Sequence, residues 1–181
     1  MGAPKPLLEW QGATLIEYQI AQLRAAGVNA VITVIGHRGS DVRRLAERAG
    51  AAVVVNKRYT EGRASSLRAG AAAMTGDRDA VIVLNVDQPR PADVTRRLLA
   101  EHTSHITIPL HNGRRGHPVI LDAALLSELC EVTEETQGLR GVIARHEAEV
   151  REVAFDSAVV LLDLNTPEDY EEARKTYEVN P

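Results

Sequence analysis

Val81-Ile82-Val83-Leu84-Asn85-Val86-Asp87-Gln88-Pro89-Arg90-Pro91 is an apolar run that breaks abruptly on a carboxylate followed by two prolines. A short β-branched run bounded in this way predicts an interior strand of a parallel sheet, covered on both faces. Open α/β sheets bind ligands beyond the carboxyl ends of their strands, so Asp87 stands where a metal or substrate would be met. Pro89 and Pro91 stop further pairing, and Pro91 suits the start of a helix over 92–102. An aspartate in an Asp-Gln-Pro turn also serves as a simple turn cap, and the stretch by itself leaves both readings open.

Outward from this strand, strand and helix patterns take turns. Residues 2–8 are too rich in proline for a helix or inner strand and read as an entry loop. Thr14 is a good N-cap for a helix whose apolar positions Leu15, Ile16, Ile20 and Leu23 lead to Gly27. Residues 29–35 predict a buried strand, 40–49 a helix capped by Ser40, and 52–55 a second short strand ending at Asn56. The polar loop 57–66 then runs into a small-residue helix over 67–74, whose Ala69 to Ala73 permit close packing on the sheet. A helix start beside a strand end suits an anion, while Ser65 and Ser66 are equally suited to capping that helix.

Beyond the central strand, 105–110 predicts a strand, and Asn112 to Gly116 a turn into 117–121, a hairpin in which Gly116 permits an unusual backbone angle. A helix over 123–131, an acidic linker 133–137, a helix over 138–146 and strands at 150–155 and 159–162 follow. Thr166-Pro167-Glu168 opens a last helix. The alternation specifies an α/β fold with a mostly parallel sheet, in one domain over residues 1–181.

Composition narrows the function classes. The 181 residues are 44% hydrophobic, 25% charged and 3% aromatic, an ordinary globular balance with an aliphatic core. A chain of this length buries roughly two thirds of its unfolded surface without staples. The single cysteine, Cys130, excludes an internal disulfide or a cysteine metal cluster and favours a cytoplasmic setting. No apolar run approaches the roughly 20 residues of a membrane span, and no signal-peptide pattern opens the chain. A net charge of −4 argues against a nucleic-acid binder, as does the mixing of Arg43, Arg44 and Arg48 with Asp41 and Glu47 on one helix. It leaves room for a small anionic ligand in a local basic cluster.

Six short stretches carry a family resemblance. They are Met1-Gly2-Ala3-Pro4-Lys5-Pro6-Leu7-Leu8, Gly62 to Ser66 with Leu67 and Gly70, Asp87-Gln88-Pro89, Gly116-His117-Pro118, Gly138-Leu139-Arg140 and Asp163 to Tyr170. In this order, over nearly the whole chain, they resemble the MobA-like nucleotidyltransferases, and most closely the molybdenum cofactor cytidylyltransferases. The resemblance implies a Rossmann-like three-layer α/β/α fold and magnesium-dependent transfer of CMP from CTP to molybdopterin-bound molybdenum cofactor, releasing pyrophosphate. It implies Asp87 as metal ligand and Lys5 as the cation on the triphosphate. Gly2, Lys5, Gly62, Ser65, Ser66 and Gln88 would line the nucleotide. Gly116, His117 and Arg140 would lie on the acceptor side, although His117 also suits a structural role in the hairpin. The product would pass to a molybdoenzyme or its chaperone.

Two departures from the family pattern stand out. Asn165 occupies the second carboxylate of the usual Asp-Ile-Asp-Thr-Pro; an amide oxygen still binds magnesium but adds no charge, and Asp163 is the other candidate. The family's first apolar strand and most of its glycine-rich phosphate loop, which ends in Arg-Met-Gly, would precede Met1. The expectation is therefore an N-terminally incomplete version of a longer protein, which an unbroken sheet pairing 31–34 directly with 82–84 would contradict. Two other functions fit the same residues: guanylyl or sugar-phosphate transfer on the same fold, and a non-catalytic cofactor-binding module.

Overall fold

The computed structural model describes residues 4–36 and 39–179. The chain enters through a 3-10 turn at Lys5–Leu7 and a small hairpin of β1 (Glu9–Trp10) and β2 (Ala13–Thr14). It continues through α1 (Leu15–Ala25), β3 (Ile32–Ile35), α2 (Ser40–Arg48), β4 (Ala52–Val55), α3 (Arg63–Ala72), β5 (Ala80–Val83) and α4 (Ala92–Ala100). Then come β6 (Ile106–His111), β7 (Arg114–Arg115), β8 (Val119–Asp122), α5 (Leu126–Glu131), α6 (Gly138–Arg145), β9 (Val150–Ala154) and α7 (Pro167–Val179). The boundaries follow local chemistry. Thr14 and Glu17 close a reciprocal capping box on α1, and Thr166 with Asp169 does the same for α7.

The strands form an α/β fold that mixes parallel and antiparallel pairing. β3 and β4 run parallel, from Ile32 opposite Ala52 to Ile35 opposite Val55. The larger sheet has the order β5-β8-β6-β7, with β9 on the other side of β6. β5, β6 and β9 share one direction, while β8 runs against both of its neighbours. This corrects the reading of 81–86 as an interior parallel strand: the partner of β5 is antiparallel β8, and β3 and β5 are not paired. The cause is the β6–β7 hairpin, whose turn residues Asn112 and Gly113 both have positive φ. That geometry suits a tight two-residue reversal, which sends the chain back between β6 and β5.

Helices cover both faces. Alternation along β8 sends Ile120 into a cluster with Trp10, Leu15, Leu98, Val160 and Leu164, while Val119 and Leu121 join Val81, Ile106, Ile108, Leu129 and Val142 on the opposite face. A third cluster, Ile16, Ile20, Ile35, Val42 and Ala46, seats α1 and α2 on β3. The small residues of α3 do what their size predicts: a Cβ at Gly70 would lie 3.0 Å from Val34 Cγ2. Trp10 packs edge-on against Tyr18, Tyr170 and Tyr177, which fastens the entry hairpin to α1 and α7.

Two expected elements differ. Residues 158–161 form a 3-10 turn in place of a strand, because the carbonyls of Val160 and Leu162 accept side-chain donors from Arg90. α3 begins at Arg63, four residues before the expected start, because Glu134 accepts the N–H of Ala64 at 2.7 Å and caps the extra turn from across the fold. Ser65 and Ser66 therefore lie inside the first turn of α3, and Gly62 is the N-cap.

Candidate functional site

The site is built on the turn that follows β5. The N–H of Gln88 closes the turn on the carbonyl of Asn85 at 3.1 Å. Buried Gln19 of α1 clamps it: its amide nitrogen donates to the carbonyls of Asn85 and Gln88 at 3.1 and 2.8 Å, and its oxygen accepts from the N–H of Arg90. The N–H of Leu164 donates to the carbonyl of Asp87 at 2.8 Å, which brings the 163–166 segment alongside. Asp87 and Asn165 thus become neighbours through backbone.

Lys5 completes the cluster. Its Nζ donates to Asp87 Oδ2 and to Asn165 Oδ1, both at 2.8 Å, across sequence separations of 82 and 160 residues. Three residues singled out in the sequence are therefore brought to one point. Two hard oxygen donors already share a cation, the ammonium, and Asp163 Oδ1 is buried nearby in sequence with no hydrogen-bond partner among the described residues. This donor set fits an octahedral magnesium or manganese ion that takes one or two protein oxygens and completes its shell with water and phosphate.

His117 stands across the turn. Gln88 Oε1 accepts from Asn85 Nδ2 at 3.1 Å, which orients its amide so that Nε2 faces His117 Nδ1 at 3.2 Å. An accepting Nδ1 leaves the proton on Nε2, so the imidazole presents an N–H donor. Burial, reinforced by the Arg90 guanidinium, pushes its pKa down to about 4 and holds it neutral. The charge of Arg140, exposed on α6, acts on His117 in the same direction. Gly116 has no left-handed backbone angle, contrary to expectation; it is needed because a Cβ there would strike the carbonyl oxygen of Val160.

Arg90 is the residue that motif reading missed. It is 1% exposed, and it donates to the carbonyls of His117, Pro89, Val160 and Leu162 at 2.8 to 2.9 Å. Burial pulls its pKa down to about 10, which still leaves it charged at neutral pH. It binds the turn, the His117 hairpin and the 158–161 turn into one body. An arginine between two prolines gives no periodic signal, and its four acceptors are invisible in sequence.

The third predicted group gathers at the start of α3. Asn56, at the end of β4, donates to Ser65 Oγ at 2.8 Å and Ser66 Oγ at 3.1 Å, and the one O–H of Ser65 has the carbonyls of Arg58 and Gly62 within reach as acceptors. Gly62 has φ +98°, and a side chain there would collide with Glu134. The carboxylate of Glu134 occupies the helix terminus that the sequence reading offered to an anion. Gly2 lies outside the described residues.

The MobA-like NTP transferase domain matches residues 1–150. The chain belongs to that family. This transferase domain is 26% identical to the molybdenum cofactor cytidylyltransferase of Escherichia coli (strain K12) over 98% of its own length and 90% of that protein. It is also 30% identical to the nicotine blue oxidoreductase of Paenarthrobacter nicotinovorans, over 76% of its own length and 71% of that protein. Among solved structures, Rv0371c from Mycobacterium tuberculosis H37Rv superposes on the transferase domain with a TM-score of 0.82 at 26% identity, covering 97% of this chain and 90% of that one. Rv0371c has also been solved in complex with manganese, with a TM-score of 0.77 to this fold. Among the described residues, no helix is long and apolar enough to cross a membrane.

Proposed function

We propose that this transferase domain moves CMP from CTP to a phosphate of the molybdopterin-type molybdenum cofactor, with a divalent cation, magnesium in the cell, held by Asp87 and Asn165. One observation carries the reading: Lys5, Asp87 and Asn165, remote in sequence, converge at the end of β5. Similarity along nearly the whole E. coli cytidylyltransferase supports the choice of nucleotide and acceptor. The acceptor's phosphate oxygen attacks the α-phosphorus of CTP, the bond to the β-phosphate oxygen breaks, and pyrophosphate leaves. Bringing an anion to an already anionic phosphorus is chiefly a matter of positioning and charge neutralisation. The cation would supply charge neutralisation on the triphosphate.

The chain's own groups divide the rest. The Lys5 ammonium, one third exposed, would yield Asp87 and Asn165 to the cation and follow the charge developing on the triphosphate. The Nε2–H of His117 donates to the acceptor phosphate and, being neutral, neither takes nor loses a proton there. Gln88 and Arg90 hold that imidazole in place, and the Gly62 to Ser66 turn lies beside the nucleotide. Arg140 adds a positive charge toward the acceptor side.

Pyrophosphate release from each of CTP, GTP, ATP and UTP, with magnesium and the molybdopterin cofactor present, tests the reading. Turnover with CTP alone is expected, and Asp87→Ala should abolish it while moving the melting temperature little, because the ion pair it removes is partly solvated. Turnover with GTP alone would point to guanylyl transfer. Activity retained in Asp87→Ala would displace the cation site, and no turnover with any nucleotide would favour a non-catalytic binding module.

A further inference from the structure

At the far edge of the larger sheet, His105, His146 and Glu149 place one ligand atom each within 4.8 Å of one another. Backbone geometry builds this cluster. The parallel register of β6 and β9 pairs Ile106 with Val150, so His105 and Glu149 are the next rung back, and their side chains meet as Nδ1 against Oε2. Residues 147–149 form a 3-10 turn in which the N–H of Glu149 donates to the carbonyl of His146 at 2.8 Å. In such a turn, residues three apart are eclipsed, which stacks His146 beside Glu149. The carbonyl of His105 is anchored by the N–H of Asp122 at 2.8 Å.

Glu128 of α5 supplies the decisive contact. Its Oε1 faces His146 Nε2 at 2.7 Å, and its Oε2 is held by Arg145 at 2.7 and 3.1 Å. The other nitrogen, Nδ1, faces Glu149 Oε1 at 3.4 Å. Each ring nitrogen of His146 thus faces a carboxylate. A metal ion beside Nδ1 would lie between that nitrogen and Glu149, with the Nε2–H left to donate to Glu128. A carboxylate behind a ligating imidazole is the usual way such a ligand is oriented and made more basic.

We propose that His105, His146 and Glu149 bind a first-row divalent cation of the zinc class, with Glu128 orienting His146. Two imidazoles and one carboxylate suit zinc, cobalt or nickel rather than magnesium. A tetrahedral ion with bonds of about 2.0 to 2.2 Å needs donors about 3.4 Å apart, a small rearrangement in which His105 and Glu149 separate, and it leaves one position for water. The cluster precedes β6, level with the start of β5, whereas Asp87 follows the end of β5. The ion therefore clamps the starts of β6 and β9 to α5 and α6, away from the proposed transfer chemistry.

The test uses the metal-stripped 181-residue chain carrying Asp87→Ala, so that the other cation site is silent, titrated with Co(II) and then Zn(II). One Co(II) per chain is expected, with visible absorption bands of a nitrogen and oxygen ligand set that Zn(II) bleaches, and Zn(II) should raise the melting temperature. Adding His146→Ala should remove the bands and the thermal shift, and Glu128→Gln should weaken binding roughly 10- to 100-fold. His105→Ala provides an independent variant at an exposed position. Absence of bands at millimolar Co(II), or equal affinity in the parent and in His105→Ala and His146→Ala, would overturn the proposal.

Discussion

The imidazole of His117 stays neutral because burial outweighs the pull of Asp163 and Asp87, and the Arg90 guanidinium adds to the burial effect. Its pKa near 4 in the fold, against 6.5 when free, makes it a stability switch. Above pH 6.5 neither state binds the proton, and the packing of the neutral ring contributes fully. As pH falls from 6.5 toward 4, the unfolded chain takes up a proton that the folded chain refuses, and stability declines. By pH 5 the loss should reach about 1 to 2 kcal/mol, allowing for the ring's partial solvent contact. Urea midpoints at pH 7 and pH 5 measure it, and His117→Asn should flatten this part of the profile.

At the level of elements, the β6–β7 hairpin docks on the 158–161 turn at a distance only glycine tolerates. A Cβ at Gly116 would reach the Val160 carbonyl oxygen, which is backbone and cannot rotate away. Gly116→Ala should therefore cost about 1 to 3 kcal/mol, as overpacking does, and should lower turnover as well, because residue 117 follows directly. Gly113→Ala is the contrast: its φ of +75° is strained for alanine, but nothing lies within 4 Å of the new methyl. Its cost should be about 1 kcal/mol and confined to stability. Thermal denaturation together with initial rates separates the two.

For the whole molecule, Arg90 is the junction. Its guanidinium serves the carbonyls of three segments, so Arg90→Met should leave several buried acceptors without donors and lose about 3 kcal/mol or more. Arg90→Lys should recover little of this, since one ammonium cannot reproduce a planar fork spanning the same acceptors. Both variants are checked by urea denaturation, with the His117 proton resonances reporting whether the hairpin has shifted.

Much of this architecture was legible in the residues themselves. The apolar run that breaks at Asp87, the caps at Thr14 and Thr166, and the turn from Asn112 to Gly116 act over a few residues, so most of the order of helices and strands could be read directly. Asp87 and Asn165 were identifiable as oxygen donors, and Lys5 as a cation for the triphosphate, through motif order, whereas the meeting of all three at one point was not. What only the tertiary structure decided depends on residues far apart in the chain. Inserting β8 against β5 turned an expected parallel neighbour into an antiparallel one. Arg90 drew 158–161 out of strand geometry, Glu134 lengthened α3 by capping it from another segment, and Gln19 clamped the turn that follows β5. Periodicity reports which face of a segment is apolar, whereas strand partners and buried hydrogen bonds follow from which distant segments meet, and that is settled only when the core closes.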